Sequence, residues 1–141
     1  MHPIVRNVLG VVLGLVVGSA VNMAIISFGP MLVPPPAGVD VMDPDSLAQG
    51  MHLFEPKHFL VPFLAHALGT LVGATIASAV AARRKGVMAA VVGVFFLAGG
   101  IAAATMIPAP AWFIALDLLL AYLPMAWLGH WIAGRFGPRR G

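Results

Sequence analysis

Two side chains able to do acid–base chemistry sit inside long apolar runs: His66 in FLVPFLAHALGTLVGATIASAVAA and Asp117 in AWFIALDLLLAYLPMAW. A third polar side chain, Asn22, lies in the apolar run near the N-terminus. A charged group near the centre of a membrane helix costs about 3 kcal/mol on insertion scales, so each such residue demands a reason. Asn22 lies seven residues below Gly29, His66 seven below Phe59 and Asp117 five below Trp112. At a rise of about 1.5 Å per residue, all three fall roughly 7 to 11 Å below one membrane surface. They come from three different runs, so a cluster of Asn22, His66 and Asp117 open to that surface is expected. Thr70, one turn below His66, and Ser19 are further candidates, and Pro62 frees the His58 carbonyl just above His66. Three chemistries fit. One is a buried hydrogen-bond network that sets helix register, each bond contributing about 0.6 to 2 kcal/mol in a membrane. Another is a proton or solute site, since histidine exchanges protons near neutral pH. The last is a catalytic His–Asp pair, for which neither Thr70 nor Ser19 supplies a nucleophile in any motif context. No catalytic residue is therefore assigned.

A second group, His52, Glu55 and His58, has the spacing His-x-x-Glu-x-x-His. It is a weak metal candidate. Pro56 interrupts it with a helix start, and it lacks the i, i+4 histidine pair of zinc proteases. A solvated interfacial cluster accounts for it better, and no metal site is assigned. His130 lies 13 residues beyond Asp117, about 20 Å deeper along a helix, so His66 and His130 cannot clasp one haem within a subunit. The chain has no cysteine, which excludes disulfides, thiolate metal sites and a cysteine nucleophile. No cofactor is implied.

The elements that must position these residues follow from composition. Of 141 residues, 60% are hydrophobic and only 9% charged, with a mean hydropathy of +0.97. A soluble domain of this size needs a far more charged surface, so lipid is the expected surroundings. Backbone groups in lipid must pair within each span, which gives an all-α polytopic membrane protein. One domain over 1–141 is expected: a four-transmembrane-helix bundle with spans at about 4–28, 58–82, 87–106 and 112–133. The run from Ile4 continues to Ile26, too long for a signal-peptide core, so it is read as an uncleaved span. The outer loop, 29–57, holds a short amphipathic helix with Asp43 as N-cap, Pro44 at N1 and an apolar stripe of Leu47, Met51 and Phe54. That helix is expected to lie on the membrane surface or cap the bundle.

Small residues recur at helical spacing. Gly10, Gly14 and Gly18 share a face with Asn22, and Gly69 and Gly73 share one with Ala77. Such a glycine zipper lets two helices approach backbone to backbone, within the chain or across a homodimer. Ala89, Gly93, Gly100 and Ala104 make a third stripe, Gly99-Gly100 is expected to bend its helix, and Gly86 to begin a tight turn. Trp112, Trp127 and Trp131 suit the membrane borders. Seven of the eight basic residues, Arg6, Arg83, Arg84, Lys85, Arg135, Arg139 and Arg140, fall at one set of span ends. Asp40, Asp43, Asp45 and Glu55 fall in the long loop with Lys57. By the positive-inside rule both termini are cytoplasmic and the long loop is outside. The net charge of +3 is thus topological, and no nucleic-acid partner is expected.

The segments VPPPAGVD and HLFEPKHFLVPFLAHALGTLVGA resemble stretches of small four-span bacterial inner-membrane proteins with no assigned activity. The resemblance covers most of the chain, implies a bacterial inner-membrane setting and supplies no catalytic residue. In size the chain is similar to small multidrug exporters, but those place a glutamate in their first span, which here has no acid. Fluoride-channel and signal-peptidase motifs are absent. The leading expectation is a non-enzymatic bundle that self-associates, as a homo-oligomer, or serves as an accessory subunit of a larger membrane complex. The alternative is a proton-linked small-solute transporter using Asn22, His66 and Asp117. An enzyme acting on a membrane-soluble substrate comes third.

Overall fold

The computed structural model describes residues 1–137, and Arg139 and Arg140 lie outside the described residues. Among the described residues the chain is all-helical: α1 (Pro3–Phe28), α2 (Pro44–Gly50), α3 (Leu60–Val80), α4 (Lys85–Met106), α5 (Ala111–Leu120) and α6 (Leu123–Phe136), with short 3₁₀ turns at Gly29–Met31, Met51–Leu53 and Pro56–Phe59. Four helical stretches are long and apolar enough to cross a membrane: Pro3–Met31, Pro56–Val80, Lys85–Met106 and Ala111–Phe136. Each matches one expected span to within a few residues.

α3 is the centre of the bundle, packing on α1, α4, α5 and α6. Its closest neighbour is α1, and the reason is the two glycine rows. Gly10, Gly14 and Gly18 are the buried residues of α1, and they meet Gly69, Gly73 and Ala77 of α3. A Cβ added at Gly18 would lie 2.6 Å from the Gly69 carbonyl oxygen, and one at Gly73 2.6 Å from that of Gly14. Only hydrogen fits between these backbones. Such close approach gives the two helices continuous van der Waals contact along their backbones. Below this contact Ala74, Ala77, Ala89, Val92 and Ala126 form a tightly closed core joining α3, α4 and α6.

The α3–α4 connection is short and held from α1. The carboxamide oxygen of Asn7 accepts the Ala82 and Arg83 N–H groups at 2.8 and 3.2 Å, while the Arg6 guanidinium donates to the Val80 carbonyl at 2.6 Å. The turn itself is made at Arg84, in the left-handed region at φ 50°. Gly86, expected to begin the turn, instead lies in the first turn of α4.

α4 is continuously helical through Gly99 and Gly100, and Gly100 forms a recess for the Tyr122 ring. One further expectation is corrected. The fourth span, expected as one helix, is two. Pro124 has no N–H for the Leu120 carbonyl, and α5 ends at Leu120. Tyr122 then turns at φ −117°, ψ −79° before α6 resumes.

The long loop closes the other end. Asp43 caps α2 through an oxygen that accepts the Asp45 N–H at 3.1 Å. Met51 is buried with Phe59 and Phe113, and Leu47 and Phe54 pack against them. The amphipathic stripe therefore caps the bundle, with aromatic rings of Phe54, Phe59, Trp112 and Phe113 stepping across it at centroid distances of 4.7 to 6.0 Å.

Candidate functional site

The break between α5 and α6 has a consequence at the polar site. α5 carries Asp117 and delivers it to α3, where Nδ1 of His66 lies 2.8 and 3.0 Å from its two oxygens. The imidazole N–H therefore donates to the carboxylate, which fixes the tautomer by its partner. The turned Tyr122 brings a second donor: its hydroxyl donates to Oδ2 of Asp117 at 3.0 Å. Its ring stacks on His66, centroids 5.8 Å apart and planes at 26°. Asp117 is 5% exposed and Tyr122 2%, so the carboxyl group is buried and held by two side-chain donors. Such a network rigidifies three helices, and it also places an acid and a base at one point.

Of the expected cluster, His66 and Asp117 are brought into direct contact. Thr70 is buried and uses its hydroxyl on its own helix, donating to the His66 carbonyl at 2.8 Å. Asn22 borders the same cavity as His66 without bonding to it, and its carboxamide oxygen is buried with no partner among the described residues. Ser19 faces a separate surface hollow with Leu15 and Phe95 and takes no part. Pro62 falls in the first turn of α3, where a missing N–H leaves no gap in the ladder. Lys57 in the outer loop is exposed and pairs with Glu55 at 3.2 Å.

Two cavities meet at His66. The upper one, about 230 Å³, lies under the loop cap between Ile26, Leu47, Met51, Phe54 and Phe113, with His66 and Asp117 its only titratable lining groups. The lower one, about 190 Å³, is bordered by Asn22, His66, Thr70, Phe96 and Tyr122. Gly100 and Ala103 of α4 line both. The arrangement can hold a small molecule with an apolar body above and a polar group at the imidazole.

The outer trio is used locally. His58 Nδ1 accepts the Glu55 N–H at 2.8 Å, closing a capping box at the Pro56–Phe59 turn, and His52 Nδ1 lies 2.9 Å from the Gln49 carbonyl. Among the described residues no three His, Asp or Glu side chains come together as a metal set.

Sequence reasoning missed Tyr122, although it is the chain's only tyrosine and sits one and a half turns beyond Asp117, beside a proline. It also missed a second polar pair between helices: the buried Ser78 hydroxyl and Nδ1 of His130 share a hydrogen bond of 2.7 Å between α3 and α6. Ser78 is 1% exposed, and the bond ties α3 to α6. Its signal was the spacing of His66, Thr70 and Ser78 on one face of α3.

No protein family, curated protein or solved structure matches the chain.

Proposed function

We propose that this chain is a multi-pass protein of a bacterial inner membrane in which His66, Asp117 and Tyr122 form a proton-exchanging site for a small solute. The observation that carries this reading is the buried Asp117 carboxyl group, which lines the upper cavity and is hydrogen-bonded to Tyr122 and to His66, the side chain that borders both cavities. A network serving register alone gains nothing from space beside it, and cavities in a packed interior cost stability. Histidine accepts and releases protons in the physiological range, and the loop cap lies between the upper cavity and the end of the bundle assigned to the outside. Proton-linked solute carriage is the activity this geometry supports best. The setting is supported by the resemblance of the loop and second span, and by the four apolar helices.

The reading is tested in liposomes carrying a trapped pH-sensitive dye, with small alcohols, carboxylic acids and amines added outside across about pH 5 to 8, the range of histidine titration. At least one solute class is expected to drive internal pH change with wild-type protein, and Asp117→Asn and His66→Gln to abolish it while both variants remain folded. Solute-linked proton movement that survives both substitutions, or that no class elicits, overturns the proposal.

A second reading, self-association or service as a subunit of a larger complex, draws on the exposed apolar ridge Val5, Val8, Val12 and Val16 on α1. The glycine face of α1 does not contribute to it, being occupied by α3. Under that reading association persists in Asp117→Asn and His66→Gln, and no solute moves protons.

A further inference from the structure

The donors and acceptors around the paired cavities are not balanced. The His66 Nδ1–H and the Tyr122 O–H both point to Asp117, and the Thr70 O–H to the His66 carbonyl. Each of these side chains has its one donor engaged. What remains on the cavity wall, with His66 neutral, is the lone pair of His66 Nε2, which has no partner among the described residues, the free lone pairs of the Thr70 and Tyr122 hydroxyls, and the Asn22 carboxamide NH2 group, which can donate to the oxygen of a bound hydroxyl. Asn22 adds a buried carboxamide oxygen without a partner. Around the upper cavity the other lining is aliphatic and aromatic, from Ile26, Met51, Phe54, Phe59 and Phe113. Its volume of about 230 Å³ exceeds the roughly 150 Å³ that holds a benzene ring in an apolar protein cavity.

We infer that the paired cavities take a small neutral molecule with an apolar body and a hydroxyl head, the hydroxyl donating to Nε2 of His66. The inference rests on reading this as a solute site and names its ligand class. The apolar body lies under Phe54 and Phe113, and the head lies at the junction where His66 borders both cavities. A ligand presenting only acceptors would leave Nε2 unpaired, a cost that a buried site does not recover from water. A fully apolar ligand would fit the body and forgo the bond. The discrimination is thus of the kind in which a site built to bond a hydroxyl rejects the analogue lacking it.

The probes are 4-ethylphenol and its near-isostere 4-ethyltoluene, titrated calorimetrically into the protein in lipid nanodiscs against empty nanodiscs. The phenol is expected to bind at least tenfold more tightly than the hydrocarbon. Equal affinities, or no binding of either probe, overturn the inference. His66→Leu would strip Asp117 of a partner and can unfold the bundle, so the site is placed with Ala103→Leu, which narrows both cavities and leaves the hydrogen bonds untouched. That variant is expected to keep its thermal midpoint within a few degrees and to lose at least tenfold in affinity for the phenol. Undiminished binding would put the phenol elsewhere and overturn the assignment. The outcomes separate from those of the carrier reading. Hydroxyl-selective binding without proton movement removes the carrier and leaves this site. Proton movement driven only by solutes lacking a hydroxyl, with no selectivity between the probes, removes this ligand class and leaves the carrier.

Discussion

Asp117 has two donors, and they are not equivalent. His66 reaches both carboxylate oxygens from α3, while Tyr122 reaches one from the turn that follows α5. Tyr122→Phe removes a single hydrogen bond and keeps the ring in its Gly100 recess and against His66. Its expected cost is about 1 kcal/mol, the usual size of a hydrogen bond between membrane helices. Asp117→Leu takes the acceptor from both donors at once and is expected to cost about 3 to 5 kcal/mol, as for breaking a buried pair. Denaturant unfolding in mixed micelles measures both. Equal losses would mean that the Tyr122 hydroxyl, not His66, anchors the carboxylate. At this scale the sequence was informative where a residue type was out of place. An acid and a histidine in apolar runs stand out, and counting depth along straight helices put them together. Tyr122 did not stand out because a tyrosine suits an apolar span. Its role depends on a backbone turn that residue spacing does not show. The same is true of Asn22: it borders a cavity with His66, but which way its carboxamide faces depends on how α1 rotates against α3.

Between elements, the α1–α3 contact is set by absent side chains. A Cβ on Gly14 would fall on the Gly73 carbonyl oxygen, which is backbone and cannot swing aside. Leu15, one residue on, is half-buried against the Ala74–Ala77–Val92 core. Gly14→Leu is therefore expected to force the two helices apart and to lower the thermal midpoint far more than Leu15→Ala. The latter should cost less than the roughly 2 to 5 kcal/mol of a fully buried leucine truncation. If Gly14→Leu leaves the midpoint unchanged, the close approach of these backbones is not what holds the bundle. The four-residue spacing of the glycines announced this packing, because it is a property of helix periodicity alone. The fourth span was misread as one helix. Pro124 has no N–H for the Leu120 carbonyl, and the turn before it places Tyr122 on Asp117. Where that turn leads cannot be read from one helix in isolation.

At the level of the whole molecule, charge separates by end. Arg6, Arg83, Arg84 and Lys85 gather where α1 begins and α3 meets α4, the first of them bonded to the Val80 carbonyl. Arg135 joins the last turn of α6, its guanidinium 4.6 Å over the Trp131 ring. Asp40, Asp43, Asp45 and Glu55 lie at the other end, in the loop that caps the upper cavity. Lys and Arg near span ends are retained on the cytoplasmic side, whereas acidic residues have little influence. The prediction is that reporters fused after Lys85 and at the C-terminus read cytoplasmic and one inserted at Gly38 reads external. Gly38 suits the insertion because it is exposed, at φ 82°, with nothing within 4 Å of where a side chain would start. Replacing Arg83, Arg84 and Lys85 together by Gln is expected to weaken this orientation. Single replacements should not, since the bias is summed over the short loops. The result bears directly on the site. With Gly38 outside, His66 and its cavities lie about 10 Å beneath the outer surface by helix rise, and solutes and protons approach from the periplasmic face. A cytoplasmic reading at Gly38 with an external reading after Lys85 would invert the bundle, and the cavities would then load from the cell interior.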